Sequence, residues 1–256
     1  MNNNKRQIVY STVHRAEIED YAIRDIDQDT TFIDFFEKTK SYTMTTKEVM
    51  FSTYQAARYV AQRGIKGDVV ECGVWRGGSS LLAALTIRKF ESKKSSQFRW
   101  LKNPQRKFWM YDTFEGMTKP TFRDVDVEGI TATHYMDNFA PEGKWCYSDK
   151  VDVESLFYSH GFGVADYHLV KGDVKETLKT EKPRSISLLR LDTDWYESTM
   201  AELEILYPLL SVGGVLIIDD YGHWKGAREA VDEFFGRNPS ILLHRVSYAV
   251  RVGIKI

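Results

Sequence analysis

Leu188-Leu-Arg-Leu-Asp-Thr-Asp194 and, further along, Gly213-Gly-Val-Leu-Ile-Ile-Asp-Asp-Tyr221 are two apolar runs that each end abruptly in carboxylates. Their length and composition suit buried parallel strands. Acidic side chains left unpaired at the mouth of a sheet would carry a desolvation and repulsion cost on the order of several kcal/mol. A cation is therefore expected between them, and a divalent metal is the leading candidate.

Outward from these runs, strand, turn and helix alternate. Val69 to Cys72 precedes a helix over Ser79 to Lys89, and Phe108 to Tyr111 is the next strand. Tyr167 to Val170 leads into Val174 to Lys179, Ile186 to Leu191 into Ser198 to Leu210, and Val215 to Ile218 into Ala227 to Phe235. Repetition of this unit predicts an α/β fold, a mostly parallel sheet with helices on both faces. Ile241 to Val246 and Tyr248 to Ile256 are separated by almost nothing, so they predict an antiparallel hairpin. Upstream, residues 1 to about 28 are polar and read as partly disordered. Helical patterns over Phe32 to Lys38 and Thr46 to Arg63 read as a cover over the sheet. The polar stretch 112–149 has the length of a lid or binding loop.

With 256 residues the chain suits one large α/β domain. Its 35 basic and 36 acidic residues give a formal charge of -1. That balance argues against nucleic-acid or membrane-surface binding driven by bulk charge. The start lacks a secretory apolar core and no run has the roughly 18 apolar residues of a membrane span, so a soluble, cytoplasmic protein is expected. Cys72 and Cys146 are too few for a disulfide framework, and Cys72 reads as a packed core thiol.

Asp68-Val-Val-Glu-Cys-Gly-Val-Trp-Arg-Gly-Gly-Ser79 is a strand, a glycine-bearing turn and a helix start. Gly73 would let the backbone approach a ligand, and Gly77 and Gly78 would permit a tight turn. Trp75 stands where a dinucleotide fingerprint needs its second glycine, and no Gly-Lys-Ser/Thr follows, which disfavours NAD enzymes and kinases. Asp112, closing the next strand, suits an acceptor for both ribose hydroxyls. Glu71, Asp112 and Asp173 thus end three successive strands, a pattern fitting a nucleoside with a positively charged substituent. Asp173 equally suits a helix cap.

Glu71-Cys-Gly-Val-Trp-Arg-Gly-Gly-Ser79, Tyr111-Asp-Thr-Phe-Glu-Gly-Met117, Leu189-Arg-Leu-Asp-Thr-Asp-Trp-Tyr-Glu-Ser-Thr199 and Gly213-Gly-Val-Leu-Ile-Ile-Asp-Asp-Tyr-Gly222 together resemble the macrocin O-methyltransferase family, which modifies sugars on natural products. The likeness runs from about Tyr42 to Phe235. More distantly the arrangement is similar to magnesium-dependent catechol O-methyltransferases. The resemblance implies a class I methyltransferase fold, a Rossmann-like three-layer sandwich whose seven-stranded sheet ends antiparallel. Residues 1–64 would then form the N-terminal segment and cover, and 65–256 the catalytic domain. It implies S-adenosylmethionine as cofactor, with Glu71, Gly73, Trp75, Ser79, Asp112, Asp173 and Val174 at cofactor-contacting positions. It also implies Mg2+ or another divalent cation held by Asp192, Asp219 and Asp220, with Asp194 as general base. Relatives of this kind are oligomeric, which makes a homo-oligomer, dimer or tetramer, the expected assembly.

Oxygen ligands suit a hard cation, which would acidify and aim a sugar hydroxyl while a nearby carboxylate removes its proton. Asp194 also fits a plain helix cap. Tyr221, His223 and Tyr196 are further candidates for touching the acceptor, although aromatics in such places commonly pack in the core. Asp124, Asp126 and Glu128 read as a solvated acidic run. The partner expected is a small-molecule glycoside or sugar, with no nucleic acid and no membrane. A catechol or other phenol is the second substrate class, and a non-catalytic cofactor-binding protein the third reading.

Overall fold

The computed structural model describes residues 25–95, 106–140 and 144–256, so the expectation for residues 1–24 lies outside the described residues. The apolar runs form five parallel strands: β1 (Asp68–Cys72), β2 (Phe108–Asp112), β3 (Tyr167–Lys171), β4 (Ile186–Leu191) and β5 (Leu210–Ile218). Two short strands, β6 (His244–Arg245) and β7 (Arg251–Ile254), complete the sheet antiparallel to their neighbours. The order is β3-β2-β1-β4-β5-β7-β6. The strand order switches sides at β1, with β2 and β3 to one side and β4 and β5 to the other, and this switch opens a crevice at the carboxyl ends of β1 and β4. The arrangement is the expected class I methyltransferase sheet.

Alternation along each strand feeds two apolar layers. Val69, Phe108, Met110, Leu188, Val215 and Ile217 face one layer, shared with α1 (Thr30–Thr39), α2 (Lys47–Arg63), α3 (Gly78–Ser95) and α5 (Lys150–Ser159). Val70, Cys72, Tyr111, Leu189, Leu191, Leu216 and Ile218 face the other, shared with α6 (Val174–Thr177), α7 (Tyr196–Leu206) and α8 (Lys225–Arg237). The helices begin at local caps: Asp29 accepts from Phe32 N, and Thr46 from Val49 N. Gly64, at φ 69°, ends α2 in the left-handed conformation. Among the described residues no helix is long and apolar enough to cross a membrane.

Several boundaries differ from the sequence expectation. The helix expected to reach Leu210 stops at Leu206, because Pro208 cannot donate within a helix, and β5 already begins at Leu210. Residues 25–28, expected with the disordered start, form a helical turn with Ile26 buried. The stretch 112–149 contains α4 (Ala132–Phe139), whose cap Thr131 accepts from His134 N. Helix α5 was not anticipated, although its capping Asp149 and the buried Val153, Leu156 and Phe157 carry helical spacing. The terminal hairpin forms with shorter strands than expected.

Candidate active site

Register sets the first part of the site. Asp192 follows β4 and donates its N–H to Cys72 O at 2.9 Å, and Asp219 follows β5 and donates to Leu191 O at 2.9 Å. Asp194 lies in a tight turn at φ 67°. Carboxylate oxygens of Asp192, Asp194 and Asp220 lie within 4.8 Å of one another, the geometry of a shared cation site. Asp219 is outside that trio, with Oδ1 3.0 Å from Arg190 Nη2. Burial and the neighbouring Asp192 and Asp219 charges push the Asp194 carboxyl up to about 7, and Asp220 is likewise raised by burial and by Asp194. Asp220 Oδ2 is buried without a hydrogen-bond partner, and Asp194 and Asp220 contact each other through their carboxyls. Two abutting carboxyls with an orphaned oxygen fit a hard divalent cation, which takes oxygen ligands from such a set.

The acids also have a protein cation that the sequence reading missed. Arg190, buried in β4, places Nη1 2.6 Å from Glu71 Oε1 and 2.5 Å from Asp192 Oδ2. A second omission is Glu202 on α7, fully buried, whose Oε1 accepts from Thr193 Oγ1 at 2.8 Å. Burial, reinforced by Asp192, pushes the Glu202 carboxyl up to about 8 despite that hydrogen bond.

Two cavities meet at Met44, Trp75, Asp192 and Asp194. Gly73, Asp112, Gly172, Asp173, Val174, Thr193 and Ser198 line the first, which fits the expected cofactor side. Gly73 lines this cavity and also serves the packing: at φ 81°, a Cβ there would stand 1.8 Å from Asp192 O, so the glycine lets the chain that follows β4 come close. Asp112 accepts from Val74 N, Trp75 N and Phe114 N at 2.8, 2.9 and 2.8 Å. These backbone donors take up much of the carboxylate's acceptor capacity while it still lines the first cavity. Asp173 caps α6 through Lys175 N at 2.9 Å while still lining the cavity. Glu71 lines neither cavity; it lies beneath the turn, accepting from Ser79 and Ser80 hydroxyls as well as Arg190. Ser79 itself borders the second cavity.

The second cavity, about 390 Å³, has the acids as its floor and Thr43, Val49, Trp145, Trp224, Tyr248 and Val250 among its walls. His223 lines it, with Nδ1 3.3 Å from Tyr248 Oη. Tyr196 and Tyr221 line neither cavity: their hydroxyls donate to Glu233 at 2.6 Å and to Asp232 at 2.7 Å, on the outer side of α8. The acidic run expected in solvent is largely buried. Asp124 accepts from Thr121 N and Tyr196 N at 2.6 and 2.8 Å, and Asp126 from Ile130 N and Tyr135 Oη at 2.8 and 2.7 Å. Trp195 adds a bond to Thr118 O and packs with Trp145 and Trp224. These contacts pin residues 118–135 against α7 and α8.

The chain matches the model of the macrocin-O-methyltransferase family over residues 2–241. It is 31% identical over 180 residues, 70% of its length, to demethyldecarbamoylnovobiocin O-methyltransferase of Streptomyces niveus. It is 33% identical over 174 residues, 68% of its length, to an 8-demethyl-8-(2,3-dimethoxy-alpha-L-rhamnosyl)-tetracenomycin-C 4'-O-methyltransferase of Streptomyces olivaceus. The matched stretches span 62% and 60% of those relatives. The solved O-methyltransferase NovP superposes with a TM-score of 0.68 at 26% identity, covering 84% of this chain and 82% of its own. With the fold, the strand-end acids and a family match along nearly the whole sequence in agreement, the chain belongs to the macrocin O-methyltransferase family.

Proposed function

We propose that the protein is an S-adenosylmethionine-dependent O-methyltransferase that methylates a hydroxyl of a sugar, in particular a deoxysugar, on a natural product with the help of a divalent cation such as Mg2+. The observation that carries this reading is the convergence of Asp192, Asp194 and Asp220 where two cavities meet. Similarity to relatives named as O-methyltransferases of demethyldecarbamoylnovobiocin and of a dimethoxy-rhamnosyl-tetracenomycin supports the substrate class.

Asp192 and Asp220 would hold the cation, with Asp219 beside them on the Arg190 side. When bound, the ion lowers the pKa of an acceptor hydroxyl and fixes its direction. Asp194 accepts the proton; a carboxyl pushed up to about 7 is matched to proton transfer near neutral pH. Asp112 and Asp173 border the place for the nucleoside of the methyl donor, and Trp75 lies between donor and acceptor sides. Oxygen and methyl carbon must be brought to roughly 3 Å in line, and such positioning supplies about 7 to 11 kcal/mol of barrier reduction. Trp145 and Trp224 screen the acceptor side from water, which strengthens each charge interaction inside.

Methyl transfer from labelled S-adenosylmethionine to a panel of deoxysugar glycosides and catechols, with and without chelator, tests the reading. Product on glycosides that disappears with chelator is expected. Product on phenols alone would replace the sugar assignment, and chelator-resistant turnover would remove the cation from it.

A further inference from the structure

Among the described residues, Arg190 is the one cation in contact with acids from three strand ends. In the sheet register Glu71 stands opposite Arg190, and Asp192 and Asp219 follow Leu191 and Ile218, which are themselves paired. Residues two apart on a strand share a face, so the carboxylates at 71, 192 and 219 all surround one guanidinium. Its Nη1 reaches Glu71 at 2.6 Å and Asp192 at 2.5 Å, and its Nη2 reaches Asp219 at 3.0 Å. Glu71 is held on its far side by the hydroxyls of Ser79 and Ser80, in the first turn of α3 directly after the glycine-bearing turn. An unbroken line of polar contacts thus runs from that helix start through Glu71 and Arg190 to the acids on the cavity floor.

We infer that Arg190 is a positioning residue that fixes Asp192 and Asp219 for cation binding and ties them to the turn on the donor side. The planar guanidinium suits this task, because its nitrogens lie in one fixed plane, Nη1 donating to Glu71 and Asp192 and Nη2 facing Asp219 as an ion pair, whereas a lysine ammonium is one compact charge. The ion pairs are buried, with the Arg190 and Glu71 side chains each 4% exposed. Ser80 touches neither cavity, yet it anchors the remote end of the line. The inference rests on the proposed function for the identity of the ligands.

The test is calorimetric titration of magnesium chloride and of S-adenosylhomocysteine into the wild type, Arg190→Lys, Arg190→Met and Ser80→Ala, with circular dichroism to establish folding. Outer partners of metal ligands are typically worth about 10- to 100-fold in metal affinity, and a loss in that range is expected for both Arg190 variants, with weaker S-adenosylhomocysteine binding alongside. Ser80→Ala, which retains Arg190 and every acid, is expected to weaken magnesium several-fold. If Arg190 served only to balance charge, Arg190→Met would bind magnesium more tightly than the wild type, and that result would overturn the inference. Wild-type affinities in a folded Arg190→Lys would overturn it too; should neither Arg190 variant fold, unchanged magnesium affinity in Ser80→Ala would do so. A wild type that binds neither magnesium nor S-adenosylhomocysteine would instead count against the proposed function.

Discussion

At the scale of single residues, the carboxyl group of Asp194 and the missing side chain of Gly73 are the sharpest points of the site. Asp194→Asn keeps the size of the side chain and removes its capacity to take a proton, so kcat is expected to fall by about 10² to 10⁴. Calorimetry should find cofactor affinity near the wild-type value, and near-normal turnover would exclude Asp194 as the base. Gly73→Ala would drive a methyl group into the Asp192 carbonyl, 1.8 Å away, from a backbone at φ 81°. Overpacking and a strained φ together should cost about 3 kcal/mol or more, read by urea unfolding. Unchanged stability would mean that the two strands have room to part. Asp192, Asp194, Asp219 and Asp220 were legible in the sequence because apolar runs stop at them. Arg190 was not recognised, since Glu71 and Asp219 become its neighbours only through the β1–β4 and β4–β5 register, and Asp124 was misread because Tyr196, which it caps, lies far along the chain.

Among elements, the segment between β2 and α5 has the length of a lid or binding loop, and several of its residues line the two cavities. Part of it is fastened down: Asp124 accepts from Tyr196 N in the first turn of α7, and Trp195 donates to Thr118 O. Asp124→Ala removes an acceptor from Thr121 N, the Thr121 hydroxyl and Tyr196 N at once. A loss of about 3 kcal/mol in stability is expected from unmaking such charge-assisted bonds, together with faster amide exchange at Tyr196. Wild-type exchange in the variant would show that the aromatic packing alone holds the segment. The strands were readable because burial on both faces leaves near-continuous apolar runs, and the antiparallel pairing of β6 with β7 was readable from their short connection. Helix α5 escaped notice because its exposed Val151 and Tyr158 blur the apolar stripe formed by Val153, Leu156 and Phe157.

For the molecule as a whole, Glu202 links stability to pH. Burial raises its carboxyl from 4.5 to about 8, so the folded protein keeps a proton there that the unfolded chain releases at lower pH. Stability from this group is complete below about pH 4.5, declines as the unfolded chain ionises, and is lost as pH rises through about 8. Urea unfolding between pH 5 and 9 should therefore show a decline that is shallower in Glu202→Gln, whose amide is neutral throughout. Identical slopes in the two proteins would mean that Glu202 is ionised in the fold. A last consequence concerns the tryptophans beside the larger cavity. Trp145, Trp195 and Trp224 lie with ring centroids 5.1 to 6.3 Å apart, and two of them border the larger cavity. Intrinsic emission from these indoles should change when an occupant displaces the water around them, so entry of the proposed glycoside acceptors into this cavity can be followed by fluorescence titration without label or turnover.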